Sequence, residues 1–205
     1  MLSLKEELIR RIGRAEVLLV GCSAGGFNLV FDMVLQLPAD FPIPVVLVIH
    51  RSRKFKSSLE ELLHRRAKLS VKLADDKEAM EKGCVYFAPS DYHLLLEPEG
   101  VFSLDSSEPV LFCRPSIDIT FKSVADVYED KVMAILLSGA NEDGAEGICH
   151  VYEKGGVTVV QDPEHAEVKT MPEAAIKLCR PDLILTNTEL FELVSGIPSI
   201  KNKSR

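Results

Sequence analysis

Three short stretches of the sequence carry side chains suited to acyl transfer. Gly21-Cys22-Ser23-Ala24-Gly25-Gly26 has the form G-x-S-x-G. Small residues around a serine let the chain turn sharply and keep the hydroxyl exposed, and a helix that begins just after offers unpaired N–H groups to an oxyanion. Taken alone, the stretch equally suits an anion cradle or a tight structural turn. His50 ends an apolar run, Val45-Val46-Leu47-Val48-Ile49. An imidazole with a free pKa of ~6.5 suits proton shuttling near neutral pH, so the rate should rise between about pH 6 and 7. The third stretch is Ser138-Gly139-Ala140-Asn141-Glu142-Asp143-Gly144. Asp143 or Asn141 could cap a following helix there. In a functional reading Asp143 holds the imidazole in one tautomer and stabilises the imidazolium, with Glu142 as its rival.

Nucleotide readings of the glycine-rich turn fail on particular residues. A dinucleotide fingerprint needs a second glycine where Ser23 stands and an acid closing the second strand, where His50 stands. A P-loop needs Lys after its last glycine, and Phe27 is there.

These stretches must be brought together by the elements between them. Val17–Val20, Val45–Ile49 and Val132–Leu137 read as buried strands. They alternate with helical patterns at 27–37, 57–68 (capped by Ser57 and Ser58), 116–128 and 145–156. Val157–Val160, a helix near 172–178, Leu183–Leu185 and a helix over 188–195 complete the rhythm. Such alternation means βαβ units and a mostly parallel, doubly wound α/β sheet. Val85–Ala88, His93–Glu97 and Val101–Leu104 read as short strands, an antiparallel hairpin set near one edge. Residues 1–14 form an N-terminal helix with a Ser3–Glu6 capping box, residues 15–196 one catalytic domain, and residues 197–205 a flexible tail. In doubly wound sheets sites lie beyond the carboxyl ends of the strands, which is where Ser23, His50 and the Asp143 loop fall.

Composition narrows the classes. The 205 residues hold 24 Lys and Arg against 31 Asp and Glu, a net charge of −7, which argues against a nucleic-acid binder. No apolar run approaches the ~18 residues of a membrane span, so no membrane insertion is expected, and the start has no secretory pattern. The five cysteines, Cys22, Cys84, Cys113, Cys149 and Cys179, are scattered without a C-x-x-C pair, which suits reduced thiols in a cytoplasm and no zinc site.

With these residues in place, the chain resembles the catalytic domain of chemotaxis protein-glutamate methylesterases of the CheB type. The resemblance rests on GCSAGG, the strand ending at His50, FAPSDYHLLL at 87–96, RPSID at 114–118, LSG…DGA at 137–145, QDPE and MPEAA. It spans roughly residues 16–194. It implies a serine hydrolase without cofactor or metal, with Ser23 as nucleophile, His50 as general base and Asp143 as orienting acid. It also implies demethylation of glutamate methyl esters on methylated chemoreceptor cytoplasmic domains or another protein substrate, with glutamine deamidation in some members. The backbone amides of Ala24 and Ala140 are the expected oxyanion donors. The family's receiver domain has no room in the residues before the first strand. Ala24 departs from a common Thr, and Ala140, Asn141 and Glu142 depart from a common Met-Gly-Asn. These departures leave two alternatives: a non-catalytic or altered-substrate module, or an esterase acting on a non-receptor ester.

Lesser candidates follow. His93 reads as packing or as a cleft residue, Arg114 as a substrate contact or a helix-start ion pair, His64 as a solvated helix residue, and Cys22 as a small buried residue.

Overall fold

The apolar runs of the sequence become the middle of a parallel sheet. The computed structural model describes residues 3–50 and 59–203; Ser57 and Ser58, expected as helix caps, lie outside them. Among the described residues, seven strands are ordered β3-β4-β2-β1-β7-β8-β9. These are β1 (Val17–Cys22), β2 (Val45–Ile49), β3 (Ser70–Leu73), β4 (Cys84–Phe87), β7 (Val132–Leu136), β8 (Val157–Gln161) and β9 (Leu183–Leu185). Every pairing is parallel. Strands β1, β2, β7 and β8 are buried along their whole length, because helices cover both faces. That is why they read as unbroken apolar runs rather than alternating ones.

One face packs against α2 (Phe27–Gln36), Ile12 of α1 (Leu4–Arg14), Leu63 of α3 (Leu59–Arg66) and the apolar stripe Leu190, Val194 and Ile197 of α7 (Asn187–Lys203). The other packs against α4 (Ile117–Tyr128), α5 (Ala145–Glu153) and α6 (Thr170–Leu178). In α2, Leu29, Val30, Met33 and Val34 recur at helical spacing and are all buried. Helix α1 starts on the expected capping box: the Glu6 amide donates to Ser3 Oγ at 3.2 Å and the Ser3 amide to Glu6 Oε2 at 2.7 Å.

The antiparallel hairpin forms its own two-stranded sheet, β5 (His93–Leu96) with β6 (Phe102–Asp105). Three details differ from the sequence reading. Cys84–Phe87 is not part of that antiparallel set but an inner strand of the main sheet. Ser70–Leu73, which the sequence did not mark as a strand, forms one of the two edges of the main sheet; only Val71 of its four residues is buried, so no apolar run announces it. The last helix also continues through Pro198 to Lys203 instead of stopping at Ser195. Ile197 is buried, and Lys201 Nζ donates to the Gly13 and Ala15 carbonyls at the end of α1, which ties this segment down.

The order of strands reverses at β1, where β2 lies on one side and β7 on the other. The crevice beyond their carboxyl ends is the place such a sheet leaves for a site.

Candidate active site

The loop after β7 supplies the deepest group. Asp143 is fully buried, and both its oxygens are saturated with donors. Oδ1 accepts from Ser116 Oγ at 2.7 Å and the Asp118 amide at 3.1 Å; Oδ2 accepts from the Ile117 amide at 2.7 Å and faces His50 Nε2 at 2.7 Å. The two amides are the first of α4, so a carboxylate from a distant loop sits on that helix's unpaired N–H groups. Burial works to raise the Asp143 pKa, but the hydrogen bonds from His50, Ser116 and Ile117 outweigh it and hold the group below the usual carboxylate range. Asp143 is therefore held as an ion, while Glu142 beside it is exposed.

The favour is returned. Asp118, in the first turn of α4, accepts from the Gly144 amide at 2.9 Å and the Gly147 amide at 2.6 Å, both at the start of α5. Each helix start thus meets an acid from its neighbour: α4 meets Asp143 of the loop leading into α5, and α5 meets Asp118 of α4. Burial, followed by the negative charge of Asp143, pushes the Asp118 pKa up to about 6.

His50 sits at the tip of β2 with its ring held on both sides. Nε2 faces Asp143, and Nδ1 faces Cys113 Sγ at 3.4 Å. In the neutral ring the proton lies on Nε2 and the lone pair on Nδ1, so Nδ1 is the basic nitrogen. Burial favours the neutral ring, but the hydrogen bonds to Asp143 and Cys113 and the attraction of Asp143 prevail and push the pKa up to about 9. Asn141 Nδ2 donates to the same sulfur at 3.1 Å.

Ser23 leaves the tip of β1 at the position level with His50. Cys22 and Ile49 are register partners, and the His50 amide donates to the Cys22 carbonyl at 3.1 Å. Cys22 and Ile49 share one face of the sheet. The next residue on each strand is therefore directed to the other face, that of α4 and Asp143. Adjacent strands lie ~4.8 Å apart. The Gly26 amide donates to the Ser23 carbonyl at 3.1 Å, closing a turn whose third residue, Gly25, has φ 79°, a conformation other residues adopt at a cost. Ser23 is partly exposed, and among the described residues no hydrogen bond joins its hydroxyl to His50. The amides of Ala24 and Ala140 donate no hydrogen bond among the described residues, and both residues are exposed.

Ser138, fully buried, fastens the serine turn to the neighbouring loops. Its carbonyl accepts from the Ser23 amide at 2.9 Å, its hydroxyl donates to the Ala24 carbonyl at 2.7 Å and accepts from the Val168 amide at 2.8 Å, and its own amide donates to Gln161 Oε1 at 2.7 Å.

Cys113 reaches the ring from a tight hairpin. Val110 and Cys113 exchange backbone hydrogen bonds at 3.1 and 2.8 Å around the two-residue turn Leu111-Phe112, which has φ 47° and 65°. Hairpin turns of this hand favour Asn-Gly, and holding large side chains there costs about 1–3 kcal/mol per residue. Arg114 Nη1 donates to the Ser106 and Ser107 carbonyls, both at 2.6 Å. Arg114 thus braces this loop rather than pairing with an acid.

The other sequence candidates are structural. His93 is fully buried and joins the β5 strand to the start of α4, accepting from the Ser116 amide at 3.1 Å and meeting the Glu108 carbonyl at 3.1 Å. His64 meets the Val71 carbonyl at 3.1 Å, and Cys22 is buried in the core. Sequence reasoning passed over Cys113, Ser116, Asp118 and Ser138. Only the RPSID run hinted at Ser116 and Asp118. His50, Cys113 and Asp143 offer ligand atoms within 4.8 Å of one another.

Fold and site together define a class: a doubly wound α/β domain with a hydrolase-type imidazole–carboxylate pair beside a serine turn at a helix start. The family model described as CheB methylesterase matches residues 18–194, and the chain belongs to that family. Methylesterases are carboxylic ester hydrolases. A chain from Leptospira interrogans is 40% identical over 178 residues, covering 87% of this chain and 92% of its own length. The Maricaulis maris protein-glutamate methylesterase/protein-glutamine glutaminase is 35% identical over 184 residues, which are 88% of this chain but 46% of that protein. The crystal structure of the Thermotoga maritima CheB methylesterase catalytic domain matches with a TM-score of 0.84 at 32% identity, covering 89% of this chain and 98% of that one.

Proposed function

We propose that this chain is a protein-glutamate methylesterase that cleaves γ-methyl esters of glutamate side chains on a chemoreceptor cytoplasmic domain or another protein so modified. Glutamine deamidation follows by the same route. The observation that supports this reading most is the 2.7 Å His50–Asp143 bond at the strand tip next to Ser23. Cys84, Cys113, Cys149 and Cys179 stand as thiols, in keeping with a cytoplasmic protein. No helix among the described residues is long and apolar enough to cross a membrane.

In the proposed reaction Cys113 swings off Nδ1, which then takes the proton of Ser23 as Oγ attacks the ester carbonyl. The amides of Ala24 and Ala140 receive the negative oxygen; one such donor is worth about 3–4 kcal/mol. The imidazolium, stabilised by Asp143, passes its proton to the departing methoxide, releasing methanol. Water activated by Nδ1 then cleaves the acyl-serine and leaves the protein carboxylate. For glutamine the leaving group is ammonia.

Methanol release from a methyl-labelled receptor cytoplasmic domain tests this. Ser23→Ala should abolish release while circular dichroism stays native; full release by the folded variant refutes Ser23 as nucleophile. The Sγ–Nδ1 contact favours a second reading, in which the Cys113 thiol attacks instead. Cys113→Ala decides between them. It retains activity if serine attacks and loses it if the thiol does.

A further inference from the structure

Phe112 is the most exposed large apolar residue among the described residues, and Leu111 beside it is half exposed. A fold gains nothing from holding two bulky residues in left-handed backbone conformations only to point them at water. The turn is nevertheless firmly held, by the paired Val110 and Cys113 backbone bonds and by Arg114 on the Ser106 and Ser107 carbonyls. It is also close to the chemistry: the residue after Phe112 is Cys113, whose sulfur lies on the basic nitrogen of His50. Consecutive Cα atoms are 3.8 Å apart, so the tip stands at the margin of the site, within reach of a large molecule presenting an ester to His50. On its other side Leu111 borders a cleft of about 360 Å³ shared with Ala174, Leu178, Lys177, Glu142 and Glu146, apolar at the centre and charged at the margin.

We infer that the Leu111-Phe112 tip is the docking element for the protein substrate, gripping an amphipathic segment that flanks the esterified glutamate. The apolar side of that segment covers Phe112, Leu111 and Leu178, and its polar side faces Lys177 and the acids of the cleft. A braced backbone presents the aromatic at a reduced ordering cost, and aromatic anchors of this kind dominate protein recognition. This rests on the methylesterase reading, in which the esterified side chain is carried by a protein that extends past the site.

Phe112→Gly is the incisive variant. Glycine accepts the positive φ readily, so the turn is kept and the fold is not weakened. The expected result is an unchanged or higher melting temperature and a KM for a methyl-esterified receptor cytoplasmic domain raised about 10–30-fold. The kcat on that substrate should stay within about threefold. A small chromogenic ester, too short to touch the tip, is measured in parallel, and the ratio of the two specificity constants should fall by about tenfold or more. Phe112→Trp should restore the protein KM. An unchanged protein KM in Phe112→Gly overturns the docking role while leaving the esterase reading intact. An equal loss on both substrates also overturns it, since the turn would then be acting on the position of Cys113 and His50. If the unaltered chain cleaves the small ester but not the protein ester, the substrate reading fails and the docking role falls with it.

Discussion

Replacing Asp118 with Asn should make the protein more stable at alkaline pH, although it removes a buried carboxylate next to the site. The magnitude follows from the capping arrangement. Asp118 uses one oxygen, Oδ1, to accept from the Gly144 and Gly147 amides, and an asparagine carbonyl in the same place can accept both. What the substitution removes is the charge. Burial and the neighbouring Asp143 raise the Asp118 pKa to about 6, against an ordinary 3.8. At about 1.4 kcal/mol per pH unit, the charged group costs the folded state about 3 kcal/mol. Placing the new amide nitrogen takes back up to about 2 kcal/mol, so the net gain is about 1–3 kcal/mol. The folded protein binds this proton more tightly than the unfolded chain does, so the penalty is absent below about pH 3.8, grows to about pH 6, and is constant above. Urea unfolding of both proteins from pH 4 to 8 reads it directly. At pH 4 the variant should be level with the parent or up to about 2 kcal/mol less stable, and by pH 7 it should be the more stable, with a melting-temperature gain of up to about 6–12 °C at pH 8. A variant less stable than the parent at pH 8, or a difference that does not change with pH, would refute the reasoning and show that α5 needs a full negative charge at its start.

Two other outcomes follow from the same cluster. Asp143→Asn leaves two of the four donors around this side chain facing an amide nitrogen; it should cost about 3–5 kcal/mol of stability and lower kcat about 10⁴-fold, measured by chemical unfolding and methanol release. Because Asp143 and Cys113 hold the His50 pKa at about 9, kcat/KM should climb to a midpoint near pH 9 instead of 6–7. His50 also stabilises the fold fully below pH 6.5 and progressively less up to about pH 9, so activity should rise as stability falls; a kinetic midpoint near 6.5 would show the ring is not held as described.

The sequence made the centre of the molecule legible and its rim less so. Strands β1, β2 and β7 are buried on both faces, and burial of that kind writes itself as continuous Val, Ile and Leu. Their carboxyl ends led directly to Ser23, His50 and the loop of Asp143, and the structure separates Asp143 from Glu142 by burial. The edge strand Ser70–Leu73 left no such trace, because one buried residue makes no pattern. Cys113 was invisible for another reason. Its place on His50 depends on a turn that Leu111 and Phe112 do not favour, so local propensity points away from the conformation that matters. Asp118 and Ser138 read as ordinary polar residues near helix starts; their partners come from 26 and 30 residues away.

The exchange of acids between α4 and α5 bears on how this region assembles. Neither helix start is fully satisfied until the other has docked, since the Ile117 and Asp118 amides wait for Asp143 and the Gly144 and Gly147 amides wait for Asp118. A chain with one of the two in place and the other loose would leave bare amides and a stranded anion in an apolar layer. Half-built versions of this corner are therefore costly, and the imidazole gains its partner in the same event that closes the layer.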